Sequence, residues 1–170
     1  MNNTLKVRPA THYDLETLLE FEQGVIEAER PFDITLKRGA TRYYDLEEMI
    51  TASHIELVVA ELDGELVGSG YVRIEHAKPY LQHLKYGYLG FMYVKPEHRG
   101  KGINQIIIER LKSWSTAQGV NELRLEVYCL NEPAIKAYEK IGFVKHMFEM
   151  RLGIHRVSDV LVSPKSPKFK

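Results

Sequence analysis

The sequence predicts one mixed α/β (α+β) domain, a mostly antiparallel central sheet flanked by helices, in the order β-α-α-β-β-β-α-β-α-β. Three observations carry this. First, "IELVVAEL" and "ELVGSGYVRIE" flank Asp63-Gly64, and Asp-Gly suits the positive φ angles of a type I′ hairpin turn. Second, Ile103, Ile106, Ile107, Leu111 and Trp114 recur at helical spacing. Third, "ELRLEVYC" alternates through Leu123, Leu125 and Val127, the period of a strand.

The remaining elements follow in order. Leu5 to Pro9 reads as a short first strand. Thr11 with Asp14 three residues later resembles a capping box, and Leu15, Leu18, Leu19, Val25 and Ile26 then line one helix face. Pro31 disfavours helical backbone at Arg30 and ends that helix. Leu46, Met49 and Ile50 place a second helix over Tyr43 to Ala52. "YGYLGFMYV" (Tyr86 to Val94) is aromatic and β-rich. The long helix from Ile103 stops near Gly119. Asn131 and Pro133 open a helix carrying Ala134, Ile135, Tyr138 and Ile141, and Gly142 closes it. Phe143 to Leu152 reads as a last strand or strand pair. The domain is expected over 1–153, with 154–170 as a basic, proline-punctuated, partly flexible tail.

Composition narrows the function. The chain has 170 residues, with 23 basic and 23 acidic side chains, so net charge gives no support for binding nucleic acid or an anionic membrane. One cysteine, Cys129, excludes an internal disulfide. The N-terminal stretch lacks an apolar core of signal-peptide length, and no apolar run approaches the roughly 20 residues of a membrane span. A cytoplasmic location is the expectation. The scattered histidines lack ligand spacing, so no metal site is expected.

The stretch "VKPEHRGKGINQ" (Val94 to Gln105) lies between a strand and a helix. A helix start offers unpaired N–H groups and the positive end of the dipole, which together favour an anion. Gly100 and Gly102 keep side chains away from the backbone, while Arg99, Lys101 and Lys95 add positive charge. A pyrophosphate fits these features. The stretch is not a Walker loop, because Gly102 is followed by Ile103. "GSG" at Gly68 to Gly70 lacks the third glycine of a dinucleotide fingerprint. A plain turn between strand and helix would also use the glycines.

This stretch resembles the acetyl-coenzyme A loop of the Gcn5-related N-acetyltransferase (GNAT) family, Arg/Gln-x-x-Gly-x-Gly/Ala. Arg99 and Gly102 fit its first two fixed places, and Asn104 stands where the family prefers glycine or alanine. "NEPAIKAYEKIGF" resembles the family's second motif, matching at Asn131, Ala134, Tyr138, Gly142 and Phe143. The likeness covers roughly Ile55 to Leu152.

The resemblance implies acetyl-coenzyme A as co-substrate. Its pantetheine arm would run along main-chain groups of Met92, Tyr93 and Val94, in a cleft between two splayed parallel strands. Its pyrophosphate would sit on the amides of Arg99, Gly100, Lys101, Gly102, Ile103 and Asn104. An N–H near Met92, at a bulged strand end, would stabilise the oxyanion. Asn131 would contact the cofactor, although as a residue type it also fits a helix N-cap. Tyr138 would be the general acid for the departing thiolate. With a tyrosine near pKa 10 and a thiol near 8.5, full transfer is uphill by roughly 2 kcal/mol, so a strengthening hydrogen bond suffices.

No base is assigned. Tyr88 occupies the approximate strand position where some members carry glutamate, and Glu75, His76, His83 and Glu126 are the candidates. Cys129 follows the fifth strand but reads as a small apolar residue more than a nucleophile.

The function implied is direct acetyl transfer to a primary amine of a small molecule, peptide or protein, through a tetrahedral intermediate. The alternative is a non-catalytic acyl-coenzyme A sensor or interaction module on the same fold. Acceptor identity and acyl-chain preference are open. Glu27 to Asp33 and the Glu75 to Lys85 connector are the candidate acceptor rim. Met147 to Leu152 offers an edge through which a homodimer could form.

Overall fold

The computed structural model describes residues 4–154. One five-stranded sheet runs in the order β1 (Leu5–Pro9), β2 (Ile55–Leu62), β3 (Glu65–His76), β4 (Lys85–Val94) and β5 (Leu123–Arg124). Its first three pairings are antiparallel and the β4–β5 pairing is parallel. The helices are α1 (Leu15–Glu29), α2 (Leu46–Thr51), α3 (Ile103–Ala117) and α4 (Glu132–Ile141). The mixed, mostly antiparallel class expected from the sequence is the one found.

Alternation along the strands divides the core between two faces. Leu57, Val59, Tyr71 and Phe91 bury against Leu18, Phe21 and Val25 of α1 and Leu46 and Met49 of α2. Val58, Ala60, Val72 and Leu89 bury against Ile103, Ile107, Ile108 and Leu111 of α3. Tyr138 and Ile141 of α4 pack on this second cluster. At the hairpin, Asp63 and Gly64 take φ values of 52° and 88°, as a type I′ turn requires.

Local contacts explain several boundaries. The Thr11 backbone N–H donates to Asp14 Oδ2 at 2.8 Å, the reciprocal half of a capping box, and a single 3-10 turn over His12–Asp14 leads into α1. Arg8 clasps both Asp14 oxygens at 2.8 and 2.9 Å, tying β1 to that helix start. The second helix begins at Leu46 rather than Tyr43, with Asp45 as its N-cap. The backbone N–H groups of Tyr43 and Tyr44 are diverted to Oε1 of the fully buried Glu22, at 2.7 and 2.9 Å. On α1, Gly24 faces the Tyr93 ring so closely that a Cβ would lie 2.5 Å from it.

Two expectations are corrected. The fifth strand, read as "ELRLEVYC", keeps ladder pairing only at Leu123 and Arg124. Beyond them β4 turns away, and a strand exists only where it has a partner. Phe143 to Leu152, read as a last strand, forms none. Its alternating Phe148, Met150 and Leu152 are exposed, because no strand lies alongside among the described residues. The tail expected at 154–170 lies outside the described residues, apart from Ile154. No helix among the described residues is long and apolar enough to cross a membrane.

Candidate functional site

The site begins with the parting of β4 and β5. They pair at Gly87–Leu123 and Tyr88–Arg124, and no further. The C-terminal half of β4 is therefore hydrogen-bonded only to β3. A bulge changes its phase there: Tyr71 opposes Gly90 and Ser69 opposes Tyr93, so two steps on β3 span three on β4. Phe91, at φ 53°, is the residue that absorbs the extra step. Amides alternate sides along a strand. Lys95 N–H donates to Val67 O on β3 at 2.9 Å, so the Val94 and Met92 amides point the other way, into the gap. Tyr93 turns its ring to α1, packed at a tilt on Phe21 with centroids 4.8 Å apart.

At the end of β4, Pro96–His98 form a 3-10 turn and the chain enters α3 through Gly100 and Gly102. Their φ values are 74° and 80°, and a Cβ on either would meet nothing within 4 Å. The glycines are thus required for left-handed backbone and not for clearance within the chain. Alternating left-handed residues before a helix start gather N–H groups into an anion-binding concavity. Lys101 stands exposed between them. The Arg99 guanidinium folds back, with Nε donating to Val94 O at 2.9 Å. Ile103 is buried and anchors the helix start, while Asn104 is half-buried in its first turn.

Across the gap stands α4. Asn131 is its N-cap, with Oδ1 accepting from Ala134 N–H at 3.3 Å, and Gly142 closes it at φ 112°. Tyr138 is half-buried against Phe143, with ring centroids 5.9 Å apart. Burial, reinforced by the negative charge of Glu29, pushes its phenol up to about 12. The group that reaches α4 electrostatically thus comes from the end of α1, on the opposite sheet face.

That opposite face carries polar chemistry which sequence reasoning left unassigned. Arg124, Glu126 and Tyr128 alternate onto it. The Tyr88 phenol lies near Glu126, and burial first, then that carboxylate, drive the phenol well above its ordinary range. Tyr128 stacks on Phe32 with centroids 5.9 Å apart and lies near Asp33, which takes Arg151 at 3.2 Å. Burial raises the Glu29 carboxyl, with the nearby Tyr43 hydroxyl pulling the other way. The expected rim segment Glu27 to Asp33 therefore borders this cleft. Of the base candidates, Glu75 is paired with Arg73 and His83 lies 3.1 Å from Arg124 Nη2, whereas Glu126 meets Tyr88 inside the cleft. The alternation of "RLEVY" was the signal for Glu126. Cys129 is exposed.

Glu65, Glu97 and His98 bring potential ligand atoms within 4.8 Å of one another, but Lys95 Nζ sits 2.6 Å from Glu65.

Comparison with known proteins agrees with this geometry. The model of the Acetyltransferase (GNAT) family matches residues 21–143. An N-alpha-acetyltransferase of Sulfurisphaera tokodaii is 33% identical over 106 residues, which cover 59% of this chain and 64% of that protein. An acetyltransferase of Sodalis glossinidius is 30% identical over 118 residues, 68% of this chain and 75% of its own length. The chain spans only 26% of a streptothricin acetyltransferase from Streptomyces lavendulae, at 42% identity over 50 residues. Among solved structures, a Bacillus halodurans protein superposes with a TM-score of 0.79 at 22% identity, over 88% of this chain and 99% of that one. A predicted acetyltransferase of Clostridium acetobutylicum, solved with acetyl-CoA, does so with a TM-score of 0.63 at 19% identity, over 88% and 96%. The parted strands, the glycine loop at α3 and the tyrosine on α4 thus stand in a chain that belongs to the GNAT acetyltransferase family.

Proposed function

We propose that this protein transfers an acetyl group from acetyl-coenzyme A to a primary amine. The observation that carries the proposal is the parting of β4 from β5 after Tyr88, which leaves an open strand edge; Tyr138 packs with Met92 and Val94 on the same core cluster. The residues present fit the co-substrate. The loop amides from Arg99 to Asn104 suit a pyrophosphate, and main-chain groups of Met92, Tyr93 and Val94 suit a pantetheine arm. Asn131, the N-cap of α4, suits a polar contact to the co-substrate. The Met92 amide polarises the thioester carbonyl. Tyr138, held neutral by burial, donates a hydrogen bond to the departing thiolate. Glu126, beside Tyr88, receives the proton the amine must lose.

Two carboxylates, Glu29 and Glu126, among Tyr43, Tyr71, Tyr88 and Tyr128 suit an acceptor that arrives as an ammonium ion. Relatives whose names specify an amine support the reading, among them the N-alpha-acetyltransferase of Sulfurisphaera tokodaii and a thialysine N-epsilon-acetyltransferase of Bos taurus. The test is thiol release from acetyl-coenzyme A across a panel of peptide N-termini, lysine analogues, polyamines and aminoglycosides. Turnover on at least one class, with a new acetamide found by mass spectrometry, is expected. Tight coenzyme A binding with no transfer to any of them would replace the enzyme with a binding module.

A further inference from the structure

The "GSG" of β3 matches no nucleotide loop, yet it lies directly opposite the bulge of β4. Ser69 is wholly buried, and its hydroxyl donates to the Phe91 carbonyl at 3.1 Å. The Tyr44 ring packs on Phe91 with centroids 4.9 Å apart. The carbonyl that the bulge takes out of the ladder is thus satisfied by a side-chain hydroxyl of β3. Buried and unpaired, it would carry a desolvation cost. The flanking glycines let β3 come close: a Cβ on Gly70 would lie 2.8 Å from Met92 Sδ, and one on Gly68 2.7 Å from the Tyr93 carbonyl oxygen.

The phase of β4 depends on this clamp. Before the bulge, Gly87 N–H reaches across to Glu122 O at 2.8 Å, so odd-numbered amides face β5. After it, Lys95 N–H faces β3, so even-numbered amides face the gap. Without the extra step the Met92 amide would be locked into the β3 ladder.

We infer that Ser69 is a positioning residue for acetyl transfer: its hydroxyl holds the Phe91 bulge so that the Met92 amide is aimed at the thioester carbonyl. This rests on the acetyltransferase reading above. Ser69→Ala removes the hydroxyl with almost no change of volume. The expected result is a fall in kcat of about tenfold, less than deletion of an oxyanion donor causes because the amide is misaimed and not lost. The KM for acetyl-coenzyme A and the affinity for coenzyme A, which has no acetyl carbonyl, stay within about twofold. The infrared carbonyl stretch of bound acetyl-coenzyme A labelled with carbon-13 at that carbonyl moves back toward its value in solution. Ser69→Cys, which keeps a weak donor in nearly the same volume, shifts both readouts the same way by less, and it decides the matter if Ser69→Ala does not fold.

An unchanged kcat in a folded variant overturns the inference. So does a lowered kcat with an unmoved carbonyl band, which would leave Ser69 a purely structural role. Wild-type protein that neither binds acetyl-coenzyme A nor acetylates any amine sinks the underlying function, a failure seen before any variant is made.

Discussion

Replacing Tyr138 by phenylalanine keeps the ring against Phe143 and removes only the hydroxyl. Burial holds that phenol at about 12, whereas a simple thiol lies near 8.5. Complete proton transfer to the departing sulfur is therefore uphill by about 3.5 pKa units, or roughly 5 kcal/mol. On the proposed function, Tyr138 would therefore act as a hydrogen-bond donor whose partner gains charge as the reaction proceeds. A hydrogen bond to a charged group is worth about 1.5–3 kcal/mol, so Tyr138→Phe lowers kcat roughly 10- to 150-fold. Thiol release with a colorimetric trap measures this on the best amine from the panel, and the KM for acetyl-coenzyme A stays within about twofold. The sign of the pH effect follows from the same shift. Raised by burial, the phenol keeps its proton below about 12, so the donor is present across neutral and mildly alkaline solution. Wild-type kcat therefore shows no alkaline fall due to Tyr138 between pH 8 and 10. A fall near pH 9 that disappears in the phenylalanine variant would refute the burial argument. An unaltered kcat would refute the role itself.

Other perturbations test neighbouring parts. Glu126→Gln lowers kcat roughly 100-fold at neutral pH, and the deficit narrows as the solution itself deprotonates the amine; a deficit constant to pH 10 would exclude Glu126 as base. Gly102→Ala meets no steric obstacle but must adopt φ 80°, at a cost of about 1–2 kcal/mol. Coenzyme A affinity measured by calorimetry then falls about tenfold, and an unchanged value would show that the loop backbone does not hold the pyrophosphate. Gly90→Ala places a Cβ 2.6 Å from the Tyr71 ring beside the bulge and destabilises by about 1–3 kcal/mol in urea unfolding. Asp14, held near 2 by the Arg8 guanidinium, stabilises the fold above its ordinary value near 4. That contribution is lost as pH falls through about 2. Asp14→Asn therefore costs about 2 kcal/mol at pH 7 and flattens the acid limb of stability; equal stability at pH 7 would contradict the Arg8 clasp.

The elements that could be read from the sequence are those whose signals are local. Asp63-Gly64 fixes its own turn, and Asn131 with Gly142 brackets its own helix, so these landed where expected. The strands after Glu122 were harder, because a strand is defined by its neighbour. "ELRLEVYC" has a strand's alternation, yet β4 leaves it after Arg124. Phe148, Met150 and Leu152 alternate equally well with nothing to pair against. In the site, the motif residues Arg99, Gly102 and Tyr138 were legible as a pattern. The positive φ of Phe91 was not, since nothing about a phenylalanine announces it. Glu29 was named for its charge as part of an acidic rim. Its electrostatic reach to Tyr138 arises only when α1 and α4 stand on opposite faces of the same opening.

The contact between Gly24 and Tyr93 has a consequence for which molecules this protein can accept. With no side chain at Gly24, α1 rests on the Tyr93 ring, which acts as a shim of fixed thickness between the helix and β4. On the proposed function, the floor beneath an incoming amine would be set at one depth and would not sink for a bulkier molecule. Discrimination by size then falls to the 30–45 connector, which is fastened at separate points by Arg30 to the Lys37 and Gly39 carbonyls and by Gln23 to the Thr41 carbonyl. Exchanging that connector should re-tune acceptor choice while the chemistry below it stays as it is.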